Sequence, residues 1–274
     1  MRYNYPVTDS NIQTLLPNQI FVFGSNEAGV HGAGAAKTAL DKFGAVHGKG
    51  VGLQGNSYAL PTKDKDITTL PIDKIGVYVD ELFSFASANQ SLQFLITEVG
   101  CGLAGYTAAY IAPLFNKFIA LPNCTLPQSF IDILTPHGII KGFKAFNKDD
   151  KGLYCRDFRF EIGGFYKESE AIICNKGFHF CERIIDTLNY YNRNSNVVYC
   201  EVIGWGKTDS ENDKVCTNNL HIISLYNHSH DDFNSGDGNS GNRNSGDGNS
   251  GNWNSGDRNS GDGNSGNWNS GDRN

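Results

Sequence analysis

QIFVFGSNEAGVHGAGAAKTALDKFG, residues 19–44, reads in order as a buried strand, a turn of small residues and an amphipathic helix. QIFVFG (19–24) is a short, nearly unbroken apolar run, and its lack of alternation points to burial on both faces. GAAKTALDKF (34–43) has helical spacing. Between them, Gly24 to Gly34 carries little side-chain bulk, so backbone N–H groups there can approach an anion closely. The helix start adds about half a positive charge. No G-K-[ST] closes the run, which separates it from a Walker loop.

Working outward, LQFLITEV (92–99) repeats the buried-strand pattern. It runs through Gly100-Cys101-Gly102-Leu103-Ala104-Gly105-Tyr106 into a second helical pattern, TAAYIAPLFNKFI (107–119), where Pro113 marks a kink or a late first helical position. A short strand, SYALP (57–61), and a helix, IDKIGVYVDELFSFASA (72–88), lie between the two glycine turns. This alternation predicts an α/β unit with a mixed, largely parallel sheet. Such sheets collect ligands at the carboxyl ends of their strands. Two glycine-rich strand-to-helix turns in one sheet can hold a diphosphate from both sides.

The pair of loops resembles those of the macrodomains, which bind ADP-ribose. HGAGAAKTALDKFG (31–44) with VGCGLAGY (99–106) is most similar to the branch that includes the terminal ADP-ribose protein glycohydrolase. It also resembles a bacterial and phage group sharing FVFGSN and GLQGNSYALPTK. The resemblance covers about residues 9–120 and implies a macrodomain-like three-layer sandwich over residues 1–136. It implies that Gly32, Ala33, Gly34 and Ala35 hold one phosphate and that Gly102, Leu103, Ala104 and Gly105 hold the other, with Gly100 and Cys101 also in the ligand-binding set. It also implies that Asn26 faces the distal ribose, with Tyr106 beside it, and that Asn11 meets the adenine.

The sequence departs from that branch where it matters chemically. Gln54 and Ala104 stand where the family's attacking lysine and its aspartate are expected. Glutamine forms no Schiff base and alanine takes no proton. The remaining acid/base candidates are His31 paired with Glu27 or Glu98, set against the plainer reading that His31 only lines the pocket. Lys37 and Lys63 read as surface lysines. Gln54, Asn56 and Ser57 offer neutral hydrogen bonds to ribose hydroxyls or an adenine edge, or serve ordinary turn chemistry. The expectation is a binder of ADP-ribose or an ADP-ribosyl compound, needing no cofactor or metal. It either hydrolyses ADP-ribosyl linkages or sequesters the nucleotide without turnover, for instance in phage–host conflict.

The chain's 274 residues carry a formal charge of −6 with both signs interspersed, so no basic face for an extended nucleic acid is expected. No apolar run reaches membrane-spanning length and no signal peptide opens the chain. With seven scattered cysteines, these features suggest a reducing cytoplasm, the host's if the protein is viral. From about Lys141 the pattern becomes short, aromatic-rich β segments with one helix, ERIIDTLNYY (182–191), read as a smaller α+β domain over 138–227. A partner-binding or structural role is expected there. Its GFHF element has a faint likeness to ADP-ribosyltransferase folds, which would set His179 or Tyr190 beside a nicotinamide. Cys155, Cys174, Cys181 and Cys200 lack the close C-x₂₋₄-C spacing of zinc sites and read as core thiols.

Over 233–274 the unit x-N-S-G-[D/N] recurs eight times, with NSGD at 234, 244, 254, 259 and 269 and NSGN at 239, 249 and 264. Two readings stand. One is a pentapeptide-type solenoid through which the protein could oligomerise. The other is a flexible Asn/Ser/Gly tail, because only Phe233, Trp253 and Trp268 offer apolar surface to bury.

Overall fold

The computed structural model describes residues 2–191, 196–227, 233–234, 236, 238–241 and 243–274. The chain divides into two compact units, Tyr3–Ile139 and a second comprising Ile140–Asn274 with the first residues of the chain.

After a two-residue strand, β1 (Arg2–Tyr3), the first unit runs β2 (Gln19–Asn26), α1 (Gly34–Lys42), β3 (Gly52–Gln54), β4 (Ser57–Lys63), α2 (Ile72–Ala88) and β5 (Gln93–Ile96). It continues through α3 (Ala108–Ile111), a 3₁₀ helix (Ala112–Ala120), β6 (Cys124–Thr125) and α4 (Gln128–Leu134). The sheet order is β3-β4-β2-β5-β6. β2 pairs in parallel with β4 and β5, as β5 does with β6, and only β3–β4 is antiparallel. The register explains how the helices cover it. Phe21, Phe23 and Ala59 project to one side and pack on Ala36, Ala39 and Phe43 of α1. Their alternates Tyr58 and Phe94 project to the other side, where both meet Phe85 of α2. Pro113 ends the α-geometry of α3 and opens the 3₁₀ segment, so the single helix expected over 107–119 is divided.

The sheet of the second unit is built from antiparallel pairs. Its strands are β7 (Ile139–Asp149), β8 (Gly152–Cys155), β9 (Phe158–Phe160), β10 (Phe165–Lys167), β11 (Phe178–Cys181), β12 (Val197–Glu211) and β13 (Lys214–Leu225). β12 pairs with both β7 and β13, β13 with β11, and β11 touches β7 through Cys181 and Phe143. Four strands thus form a closed ring. Gly142 permits the closure, since a Cβ there would sit 2.3 Å from the Cys181 carbonyl. Antiparallel pairing therefore dominates the sheets of the chain as a whole, and parallel strand pairs belong to the sheet of the first unit. The helix expected over 182–191 is only a 3₁₀ turn, Ile185–Asn189. Thr187 bonds back to the Ile184 carbonyl with both its N–H and its hydroxyl, at 3.0 and 2.6 Å, which favours the tighter turn.

The repeats form an ordered coil, although the copies starting at Asn234 and Asn239 fall partly outside the described residues. Parallel bridges join Ser240 to Ser250, Ser245 to Ser255, and so on to Ser260 with Ser270, so each turn takes ten residues, two pentapeptides. Its interior is polar. Asn244, Asn249, Asn254, Asn259 and Asn264 are each 1% exposed. Each of these asparagines accepts the backbone N–H ten residues on and donates to carbonyls four back and seven ahead. The apolar surface expected to drive packing is mostly not used: Trp253 and Trp268 are exposed, each beneath an arginine, Arg243 and Arg258. Only Phe233 is buried, against Tyr199.

Candidate functional site

Strand β2 leaves the sheet at Asn26, and the chain folds back through a loop that only glycines allow. Asn26 closes the loop with its side chain: Nδ2 donates to the Val30 carbonyl at 2.8 Å and Oδ1 accepts from the Val30 N–H at 3.0 Å. The loop packs on residues 46–50. A Cβ on Gly29 would lie 2.3 Å from Lys49 N, and one on Gly50 would lie 2.1 Å from Asn26 O. His31 and Gln54 secure the same turn. His31 Nε2 donates to the Lys49 carbonyl, and so does Gln54 Nε2, while Gln54 Oε1 accepts from Val46 N–H. This scaffold fixes the entry into α1, whose N-cap is Ala33, with no side-chain cap and no acid in its first turn. The first N–H groups of a helix have no intrahelical acceptor.

On the other side of β2, β5 ends at Ile96, and the chain turns tightly to Gly100. Gly105 N–H donates to Gly102 O at 2.9 Å and Tyr106 N–H to Gly100 O at 3.1 Å, which closes the second glycine turn. The two turns border one cleft of about 360 Å³, within the range of small-ligand sites. It lies where β4 and β5 diverge to opposite sides of β2, the topological switch point of the sheet.

Of the expected site residues, Asn26, Gly32, Ala33, Gly34 and Ala35 line the cleft from the first turn, and Gly100, Gly102, Leu103 and Ala104 from the second. Glu98 also lines it and accepts a 2.6 Å hydrogen bond from Ser129 Oγ. The other expected residues lie elsewhere. His31 is 1% exposed, edge-on to Phe23, outside the cleft lining, and burial lowers its pKa. Glu27 is not a lining residue and accepts the Tyr78 hydroxyl at 2.8 Å. Gln54 is spent on the 46–49 turn. Asn56 exchanges backbone bonds with Phe21 and Phe43. Asn11 is held beside Asp9 and Gln13 outside the cleft. Cys101, its thiol pKa raised to about 11 by burial, and Gly105 fall outside the lining. So does Tyr106, whose hydroxyl donates to Leu70 O.

The sequence reading took Lys63 for a surface lysine and did not weigh Thr62. Lys63 lines the cleft from the end of β4, in register with Asn26. Thr62, beside it, donates its hydroxyl to Ser25 O. The signal was positional: both follow a parallel strand's last apolar residue, where ligands gather.

The unit is thus an α/β fold with a cleft walled by two glycine turns and lined by one lysine, Lys63, and one carboxylate, Glu98. In the rest of the chain, residues 140–230 match a family described as a domain of unknown function, DUF7666, and residues 233–274 match pentapeptide repeats in eight copies. Neither match reaches the glycine turns, and no macrodomain family matches the chain. Comparisons with curated proteins and with solved structures each give no match. Among the described residues no helix is long and apolar enough to cross a membrane, and no group of three or more His, Cys, Asp or Glu side chains is placed to hold a metal.

Proposed function

We propose that the Tyr3–Ile139 unit is a macrodomain-like binder of ADP-ribose or a related NAD-derived nucleotide, with the diphosphate held between the two glycine turns. The observation that carries this reading is the shared cleft, where an uncapped helix start and a second glycine turn face the same space. Bare amides suit a diphosphate because they combine N–H donors with a helix dipole and need no flexible cations. Lys63 adds one positive charge at the cleft wall.

Binding without turnover is the better-supported form of the proposal. His31 and Glu27, two of the three acid/base candidates, do not line the cleft, and their hydrogen bonds run to the Lys49 carbonyl and the Tyr78 hydroxyl. Hydrolysis stays as a second reading because the Glu98 carboxylate lines the cleft, where it could activate water at the ribose. Calorimetric titration of the full chain with ADP-ribose, together with chromatography of an incubated ligand that carries a glycosidic bond to cleave (ADP-ribosylated protein or cyclic ADP-ribose), separates the two. Saturable binding with intact ligand supports a reader or sequestering role. Ligand cleaved by the parent and spared by Glu98→Gln supports hydrolysis, and the absence of any binding heat ends both.

A further inference from the structure

The β-rich unit holds a larger cavity, about 530 Å³ in volume. Its wall includes Lys144, at a place where the strand pattern calls for an apolar residue. Lys144 lies two residues from Phe146 along β7 and opposite Cys200 of β12, so it shares their face. Phe146 and Cys200 are both fully buried in the aromatic core of this unit. Lys144 is itself only 7% exposed. Its Nζ donates to the His179 carbonyl at 2.7 Å, and no ion pair to a carboxylate is found for it among the described residues.

Burial pulls the Lys144 pKa down, and its titratable neighbours are the Cys155, Cys181 and Cys216 thiols and Arg156, with no carboxylate among them. A buried cation without a counter-charge costs stability that an apolar residue of similar size would recover. Charge elsewhere in the cavity has the same sign. Arg156, Lys176 and Lys214 line it with Lys144, against one lining carboxylate, Glu168, in a chain whose net charge is −6. The remaining wall is aromatic. Phe158 is half exposed, and Tyr190 is 44% exposed with Lys214 Nζ 4.2 Å from its ring centre. Tyr191 closes the wall with its hydroxyl 2.9 Å from Cys155 Sγ.

We propose that this cavity is a second ligand site, independent of the glycine cleft, for a small organic anion made of an aromatic ring bearing one phosphate or carboxylate group. The anion supplies the counter-charge that Lys144 lacks, and the ring lies against the exposed aromatic wall. Isolated phosphate would leave the apolar wall wet, and an uncharged ring would leave Lys144 uncompensated.

The test is calorimetry of the full chain with four probes: AMP, benzoate, inorganic phosphate and adenosine. AMP or benzoate should bind saturably, and phosphate and adenosine should bind far more weakly. Lys144→Met should weaken the ring-bearing anion by roughly thirtyfold or more, the loss expected when one partner of a buried charge contact is removed. Lys214→Gln at the wall should weaken it several-fold, and Gly102→Glu in the other unit should leave it unchanged. Failure of both ring-bearing anions to bind, or equal affinity in parent, Lys144→Met and Lys214→Gln, overturns the proposal. So does sensitivity to Gly102→Glu alone, which would assign the binding to the glycine cleft. Should Lys144→Met fail to fold, the Lys214→Gln titration decides.

Discussion

Placing a carboxylate at Gly102 tests the diphosphate assignment with little confounding strain. Gly102 lines the cleft, its φ lies outside the left-handed region, and a Cβ built there has no atom within 4 Å. Gly34 has φ +57 and Gly100 φ +80, and a Cβ on Gly100 would lie 2.9 Å from Ile111 Cδ1, so substitutions at either mix strain with chemistry. With a glutamate at 102 about 6 Å from each of two phosphate charges, an effective dielectric near 20 gives about 5.5 kcal/mol of repulsion. Screening over a Debye length of about 8 Å reduces this by roughly half, to about 2.5 kcal/mol. That is a loss of about seventyfold in ADP-ribose affinity. Gly102→Gln is the control, because it fills the same space without charge and should lose only a few-fold. Both variants should melt at or slightly above the parent temperature, since replacing an unstrained glycine lowers the entropy of the unfolded chain. Calorimetry on parent, Gln and Glu forms supplies the three affinities. Equal losses for Gln and Glu would mean that no anion sits beside Gly102. A Glu variant that binds within threefold of the parent would remove the second turn from the site.

Three further outcomes follow from the scaffold. Gln54→Lys cannot accept the Val46 N–H and buries a charge, so it should cost about 2–3 kcal/mol in thermal unfolding and give no borohydride-trapped adduct with ADP-ribose; a trapped adduct would return position 54 to the site. Burial lowers the His31 pKa, so the unfolded chain binds a proton first as pH falls below about 6.5, and stability should drop through the window between the unfolded and folded values. His31→Gln should flatten the pH dependence of the melting temperature between about pH 6.5 and 5 without abolishing it, because burial also lowers His179 and His221; an unchanged slope would refute the assignment. Asn254→Ala removes an amide that serves Ser250, Gly261 and Asn264, so hydrogen exchange should quicken over residues 244–264 and stay constant over 19–63; equal protection in both forms would count against a ladder that orders the coil.

The first unit was legible where periodicity had a structural counterpart. QIFVFG and IDKIGVYVDELFSFASA fold as read because a doubly covered strand and an amphipathic helix leave distinct apolar patterns. The glycine turns were legible for a related reason, since small residues between a strand and a helix have few other uses. His31, Gln54 and Glu27 were misread because polarity does not report direction. The same histidine can face a ligand or a carbonyl, and here the Lys49 carbonyl takes both His31 and Gln54. LQFLITEV was read too long, because the Val99 N–H to Thr97 O bond at 2.7 Å turns the chain before the apolar run ends. In the second unit, the hairpin joining β12 to β13 was missed although Asn212-Asp213 is a recognised two-residue turn, with Asn212 at φ +55. The repeat was harder still. Its order comes from buried amides bonded every ten residues, and an account that counts only apolar surface gives such a segment no reason to fold.

The start of α1 draws stability and recognition into one feature. Helix α2 carries an acid, Asp73, in its first turn, as the dipole favours. α1 has none, and its N-cap is Ala33, a residue worth about 1 kcal/mol less there than serine or aspartate. Asn26, which lines the same cleft, has its side chain committed to Val30. A capping residue at 33 would satisfy the free N–H groups from within and place its oxygen where a ligand's oxygen would otherwise sit. Leaving the helix uncapped keeps those donors available, and an anion that binds there repays the lost capping energy only when it is present. If an anion binds this cleft as proposed, its binding and the stability of α1 are linked, and ADP-ribose should raise the melting temperature in step with its affinity.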